Sequence, residues 1–66
     1  MNKQLTERER QIVEKVLEGL TSKEIAKYYE LSIHTVRNHR KNIMKRFGLR
    51  KATQMGSLLN NQHQPS

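Results

Sequence analysis

The chain has 66 residues, no cysteine, and 13 lysines and arginines against 6 acids, for a formal net charge of +7. That length allows one small domain, near the lower limit at which a chain folds without staples, and makes a large catalytic cavity an unfavourable reading. The missing cysteines exclude disulfides and thiolate zinc sites, and no signal peptide or run of about eighteen apolar residues is present, so the expected location is cytoplasmic.

The charge is unevenly placed. Residues 1–30 hold six basic side chains and all six acids, which cancel; residues 31–66 hold Arg37, Arg40, Lys41, Lys45, Arg46, Arg50 and Lys51 with no acid. A solvated helix normally interleaves both signs. A one-signed face instead points to a polyanion partner.

In chain order, residues 1–4 are a polar lead with nothing to anchor it, and disorder is expected there. Thr6-Glu7-Arg8-Glu9 has the Ser/Thr-x-x-Glu form of a capping box and opens a first helix. Its stripe is Ile12, Val13, Val16, Leu17 and Leu20, and Gly19 can supply the left-handed residue that ends it. Thr21-Ser22-Lys23-Glu24 repeats the capping pattern, so a short second helix follows after a tight turn, with Ile25, Ala26 and Tyr29 inward. Thr21, Ser22 and Lys23 at its amino end could hold a phosphate, because the free amides and dipole of a helix start favour an anion.

Ser32 is a natural N-cap for a third helix over residues 32–48, closed by Gly48. At about 100° per residue, Ile33, Val36, His39, Ile43 and Phe47 gather on one side and His34, Arg37, Asn38, Lys41 and Lys45 on roughly the other. Seventeen residues rise roughly 25 Å, and such a rod fits a B-DNA major groove about 12 Å wide. Arg37 can present a fork of donors to guanine O6 and N7, and Asn38 can pair with adenine N6 and N7. Arg40, nearer the apolar stripe, is expected to snorkel along the flank. Two helices joined by a short turn, the second carrying base-reading side chains, make a helix-turn-helix. Residues 52–60 form a modest fourth helix with Met55, Leu58 and Leu59 on one face and Gly56 inside it, at a cost of about 1 kcal/mol. The tail from Asn60 is assigned no structure, with 61–66 expected to be disordered.

No enzyme is expected: there is no aspartate, and nothing groups a nucleophile with a base and an orienting residue. No metal or other cofactor is expected either. His34 and His39 stand about 140° apart around the helix and cannot chelate one ion, and His39 on the inner stripe reads as a structural histidine.

Leu5-Thr6-x-Arg8-Glu9, Gly19-x-Thr21-Ser22-Lys23-Glu24-Ile25-Ala26, Leu31-Ser32-x-x-Thr35-Val36-Arg37-x-His39-x-x-x-Ile43 and Arg46-Phe47-Gly48-Leu49 together resemble the LuxR/GerE-type helix-turn-helix, in order and spacing. The resemblance implies an all-α four-helix bundle with a homeodomain-like core, helices two and three forming the helix-turn-helix. It implies a single domain over 1–66, found in bacterial transcription regulators that bind double-stranded DNA sequence-specifically as homodimers, with RNA polymerase as a further partner and the nucleoid as location. By position, Arg37, Asn38 and Lys41 would contact bases; Thr21, Ser22, Lys23, His34, Thr35 and Lys45 would contact phosphates; Met55, Leu58 and Leu59 on helix four would form the dimer. Ala52, Met55-Gly56 and Tyr29 depart from the family pattern, the first two on or beside the dimer element. The starting methionine and the non-tag-like tail point to a stand-alone regulator of the GerE sort. Two alternatives stand beside this reading: a sigma-factor-like promoter-recognition domain, told apart by dependence on core polymerase, and a small interaction protein that binds and blocks a larger LuxR-type regulator.

Overall fold

The first three helices begin where a side chain can satisfy the backbone amides that a helix start leaves free, and end where a left-handed residue lets the following backbone amide do the same for the last carbonyls. A computed structural model describes residues 4–63, with side chains described through Leu59. The order is α1 (Glu7–Leu17), α2 (Ser22–Tyr29), α3 (Ile33–Phe47), a 3₁₀ turn (Ala52–Met55) and α4 (Gly56–His63).

Both expected capping boxes form. Thr6 Oγ1 accepts from the Glu9 amide at 3.1 Å while the Thr6 amide donates to Glu9 Oε1 at 3.0 Å. At α2, Thr21 Oγ1 accepts from the Glu24 amide at 3.2 Å and the Thr21 amide donates to Glu24 Oε1 at 2.8 Å. Ser32 Oγ accepts from the Thr35 amide at 3.0 Å and caps α3. The first three helices close by one device. Gly19 (φ 97), Glu30 (φ 58) and Gly48 (φ 68) are left-handed, and the following leucine amide reaches back to a carbonyl of the last turn: Leu20 to Lys15 at 3.1 Å, Leu31 to Ala26 at 2.8 Å, Leu49 to Met44 at 2.8 Å. These are Schellman ends, and each leucine then packs on the core, as such ends commonly arrange. The second of them uses a glutamate where glycine would adopt the conformation without strain.

The core is two apolar clusters joined through α1. Ile12, Ile25, Ala26 and Val36 form the first, flanked by Val16, Leu20, Tyr29 and Leu31. Val13, Ile43, Met55 and Leu58 form the second, flanked by Leu5, Val16, Met44, Phe47, Leu49 and Leu59. Neighbouring Ile12 and Val13 point to different clusters and Val16 serves both. The amino half of α3 is thereby held against α2 through Val36, and its carboxyl half against α1 and the C-terminal segment through Ile43. Leu17 and Ile33, read as stripe residues, are the exceptions, at 42% and 37% exposed. Each stands at a helix end, beyond the neighbour that would cover it.

One ion pair ties the first helix to the third. Glu9 is buried, and Arg46 clamps its carboxylate with both guanidinium nitrogens, at 3.1 Å to Oε2 and 2.5 Å to Oε1, while also donating to the Gln4 carbonyl at 3.2 Å. Burial pushes the Glu9 carboxyl up, but the Arg46 hydrogen bonds and charge together with the Thr6 amide outweigh it, leaving the pKa below its ordinary value of 4.5.

Three expectations are corrected at the C-terminal end. The segment expected as one helix from Ala52 begins as a 3₁₀ turn, because the Gln54 side chain turns back to accept from the Arg50 and Lys51 amides. Gly56 therefore opens α4 instead of interrupting it. The helix also continues to His63, so residues 61–63, expected to be without structure, are helical; expectations for 1–3 and 64–66 lie outside the described residues. Every described element is helical, and no described helix is long and apolar enough to cross a membrane.

Two outcomes follow from these contacts. A folded-state pKa below the unfolded value means that Glu9 stabilises the fold fully above its ordinary value and progressively less as pH falls through the lowered one. Glu9→Gln should therefore be less stable than the native chain at neutral pH and show a flatter loss of stability below about pH 4.5, read from chemical unfolding across pH 2–7. Glu30→Gly relieves a left-handed non-glycine costing about 1–2 kcal/mol and, after the added flexibility of the unfolded chain, should stabilise by roughly 0.5–1 kcal/mol in thermal unfolding.

Candidate nucleic-acid interface

With Val36 and Ile43 sunk into separate clusters, the opposite side of α3 is presented to solvent. His34, Arg37, Asn38, Lys41 and Lys45, the row expected there, are all exposed. Asn42 is exposed as well and extends the row, one helical turn beyond Asn38. It was missed although the same 100° spacing carries the signal. Thr35 is half-buried at the edge, its Oγ1 accepting from Ser32 Oγ at 2.9 Å, which leaves its own hydroxyl proton free to donate.

Electrostatics separates this face from the rest of the surface. On α1, Arg10 bonds Glu7 and Glu14 at 2.5 and 2.6 Å, and Lys15 bonds Glu18 at 3.3 Å. Arg46 is taken by Glu9. Among the described residues no carboxylate pairs with Arg37, Lys41 or Lys45, which leaves three free cations along one exposed row. The basic face is narrower than the seven charges after residue 30 suggested, because two turn inward. Arg46 does so for Glu9, and half-buried Arg40, expected to snorkel, donates from Nη1 to Ser22 Oγ at 2.9 Å.

The α2 amino end contributes a second patch. Thr21 and Lys23 are exposed, Ser22 is half-buried, and the capping box occupies the Thr21 hydroxyl and the Glu24 amide. The Ser22 and Lys23 amides belong to the first turn, which has no intrahelical acceptor for them. Half-buried Tyr29, a departure from the family pattern, keeps its ring on the first cluster with the Arg8 guanidinium 5.0 Å from its centroid.

The residues expected at a dimer contact fall differently. Met55 is fully buried and Leu58 is 5% exposed, both in the second cluster of their own chain. Both pack against Val13 of α1 and Ile43 of α3. Of the three, half-buried Leu59 retains accessible surface; exposed Leu17 lies near Gly56, at the start of the same helix.

This arrangement of helices agrees with the chain's relationships. Residues 3–58 match the model of the bacterial regulatory proteins of the luxR family. The chain belongs to that family, so its fold is the LuxR/GerE-type helix-turn-helix, the DNA-binding module of transcription regulators. Among its relatives, the uncharacterized response regulatory protein YgeK of Escherichia coli is 42% identical over 79% of this chain and 35% of that protein. The transcriptional regulatory protein UhpA of the same organism is 49% identical over 68% of this chain and 23% of its own length. The spore germination protein GerE of Bacillus subtilis is 42% identical over 76% of this chain and 68% of that protein. The chain thus spans about a third of YgeK, about a quarter of UhpA and about two thirds of GerE.

The outer face of α3 carries no part of the packing. Lys41→Glu should accordingly change unfolding stability by no more than about 0.5 kcal/mol, whereas Arg46→Ala, which strips a buried carboxylate of its partner, should cost on the order of 2 kcal/mol, less than a fully buried pair because the guanidinium is partly hydrated. Urea unfolding of both variants provides the comparison.

Proposed function

We propose that the chain binds double-stranded DNA sequence-specifically, reading the major groove with α3 as a homodimeric bacterial transcription regulator. The observation that carries this is the exposed row His34, Arg37, Asn38, Lys41 and Lys45, in which no carboxylate pairs with a cation among the described residues, whereas Arg10, Lys15 and Arg46 are held in ion pairs elsewhere. In this reading Arg37 and Asn38 make bidentate contacts to base edges, each discriminating by about 1–3 kcal/mol, and Lys41 joins them. Thr21, Ser22, Lys23, His34, Thr35 and Lys45 hold phosphates, which fix register and supply most of the affinity. The family to which UhpA and GerE also belong supports the role in regulation.

The second copy would meet the first through α4, with Leu59 and, near Gly56, Leu17 as apolar surface, since Met55 and Leu58 are occupied within the chain. Such a dimer prefers half-sites about one helical turn apart.

Selection of binding sites from a random duplex pool, with the complex sized by light scattering, tests the reading. A palindromic motif bound by two copies is the expected result; failure to enrich any sequence at moderate salt would overturn groove reading and favour a role in binding a larger relative. On the selected duplex, Arg37→Ala should lose preference at one base position, by roughly ten- to a hundredfold. Lys23→Ala should weaken selected and random duplexes alike and flatten the slope of log K against log salt by about 0.9.

A further inference from the structure

Arg40 is a cation without a carboxylate. Arg46, six residues along the same helix, is held by both oxygens of Glu9, which is how a partly buried guanidinium is ordinarily neutralised. Half-buried Arg40 instead donates to the neutral hydroxyl of Ser22, eighteen residues away and the first residue of α2, at 2.9 Å. Among the described residues no acid pairs with it. The bond spans the two helices of the helix-turn-helix and joins the reading helix to the turn beside Thr21 and Lys23. The bond engages the Ser22 hydroxyl, so the phosphate contact read for Ser22 falls to its backbone amide, which has no intrahelical acceptor and which Ser22→Ala leaves in place.

We propose that Arg40 is a positioning residue for DNA binding: through Ser22 it locks the amino end of α2 to α3, so that phosphate contacts at α2 and base contacts from α3 are held in one register. This rests on the DNA-binding reading above. Apolar packing through Ile25, Ala26 and Val36 brings the two helices together but is tolerant of small slides; a directional bond between a rigid guanidinium and a hydroxyl is not.

The test uses the full chain, the duplex selected above and a random duplex, with affinities measured across salt for Ser22→Ala, Arg40→Gln, their combination, and Arg40→Lys. The expected result is an approximately tenfold loss on the selected duplex for each single variant, the fold-change of one lost charge-assisted hydrogen bond, with less than threefold loss on random DNA. The double variant should be no weaker than Arg40→Gln alone, as for two groups in one interaction, and Arg40→Lys, which keeps a donor, should recover part of the loss. The salt slope should change by well under the 0.9 of a lost phosphate contact. Additive losses, equal loss on random DNA, or a slope reduced by about 0.9 for Arg40→Gln would overturn the proposal, the last by making Arg40 a direct phosphate contact. Should Arg40→Gln not fold, Ser22→Ala carries the same comparison, and its failure to reduce preference for the selected duplex would also overturn it. Tight selective binding by the native chain with both single variants unaffected removes this proposal alone; absence of selective binding by the native chain removes the DNA reading and this proposal together.

Discussion

The grip on α3 at two points, Val36 in one apolar cluster and Ile43 in the other, is the constraint on which the remaining structure depends. The two residues stand seven apart, two helical turns, so they project from the same side of the helix. Burying both leaves α3 unable to roll. Its opposite side is then exposed as a rigid row, and the placement of Arg37, Asn38, Lys41 and Lys45 follows from the depth of two apolar side chains that touch no ligand. α1 makes the double grip possible by sending Ile12 to one cluster and Val13 to the other.

A domain of this size has little apolar surface to bury, so the polar ends of its helices matter more than in a large protein. The side-chain caps and Schellman ends satisfy backbone groups of the first three helices, and among the described residues no buried side-chain polar atom lacks a partner. The three closing leucines, Leu20, Leu31 and Leu49, couple those ends to the core, so the hydrogen bonds that stop each helix also place apolar contacts. Glu9 has a double duty of the same kind, closing the α1 capping box and receiving Arg46 from α3.

Four of the six acids are disposed so that they neutralise cations elsewhere than on the outer face of α3. Glu7, Glu14 and Glu18 take Arg10 and Lys15 along α1, and Glu9 takes Arg46. Long-range attraction of a polyanion depends on the charge that remains uncompensated at the surface. In this chain that charge is concentrated on one side of one helix and in the basic turn that follows it.

What the residue order revealed was local: the capping boxes at Thr6 and Thr21, the glycine ends at Gly19 and Gly48, the apolar stripes, and the polar row of α3. These depend on neighbours within about five positions, which the order of residues specifies directly. It did not reveal the partners of two arginines on that helix: Arg40 bonds Ser22 eighteen positions away, and Arg46 bonds Glu9 thirty-seven positions away. Nor did it show that Met55 and Leu58 belong to the core, where they meet Val13 of α1 and Ile43 of α3, more than ten positions away in each case. Periodicity assigns a side chain to a face of its own helix; which neighbour covers that face is set by how the helices cross, and the crossing exists only once distant segments have packed.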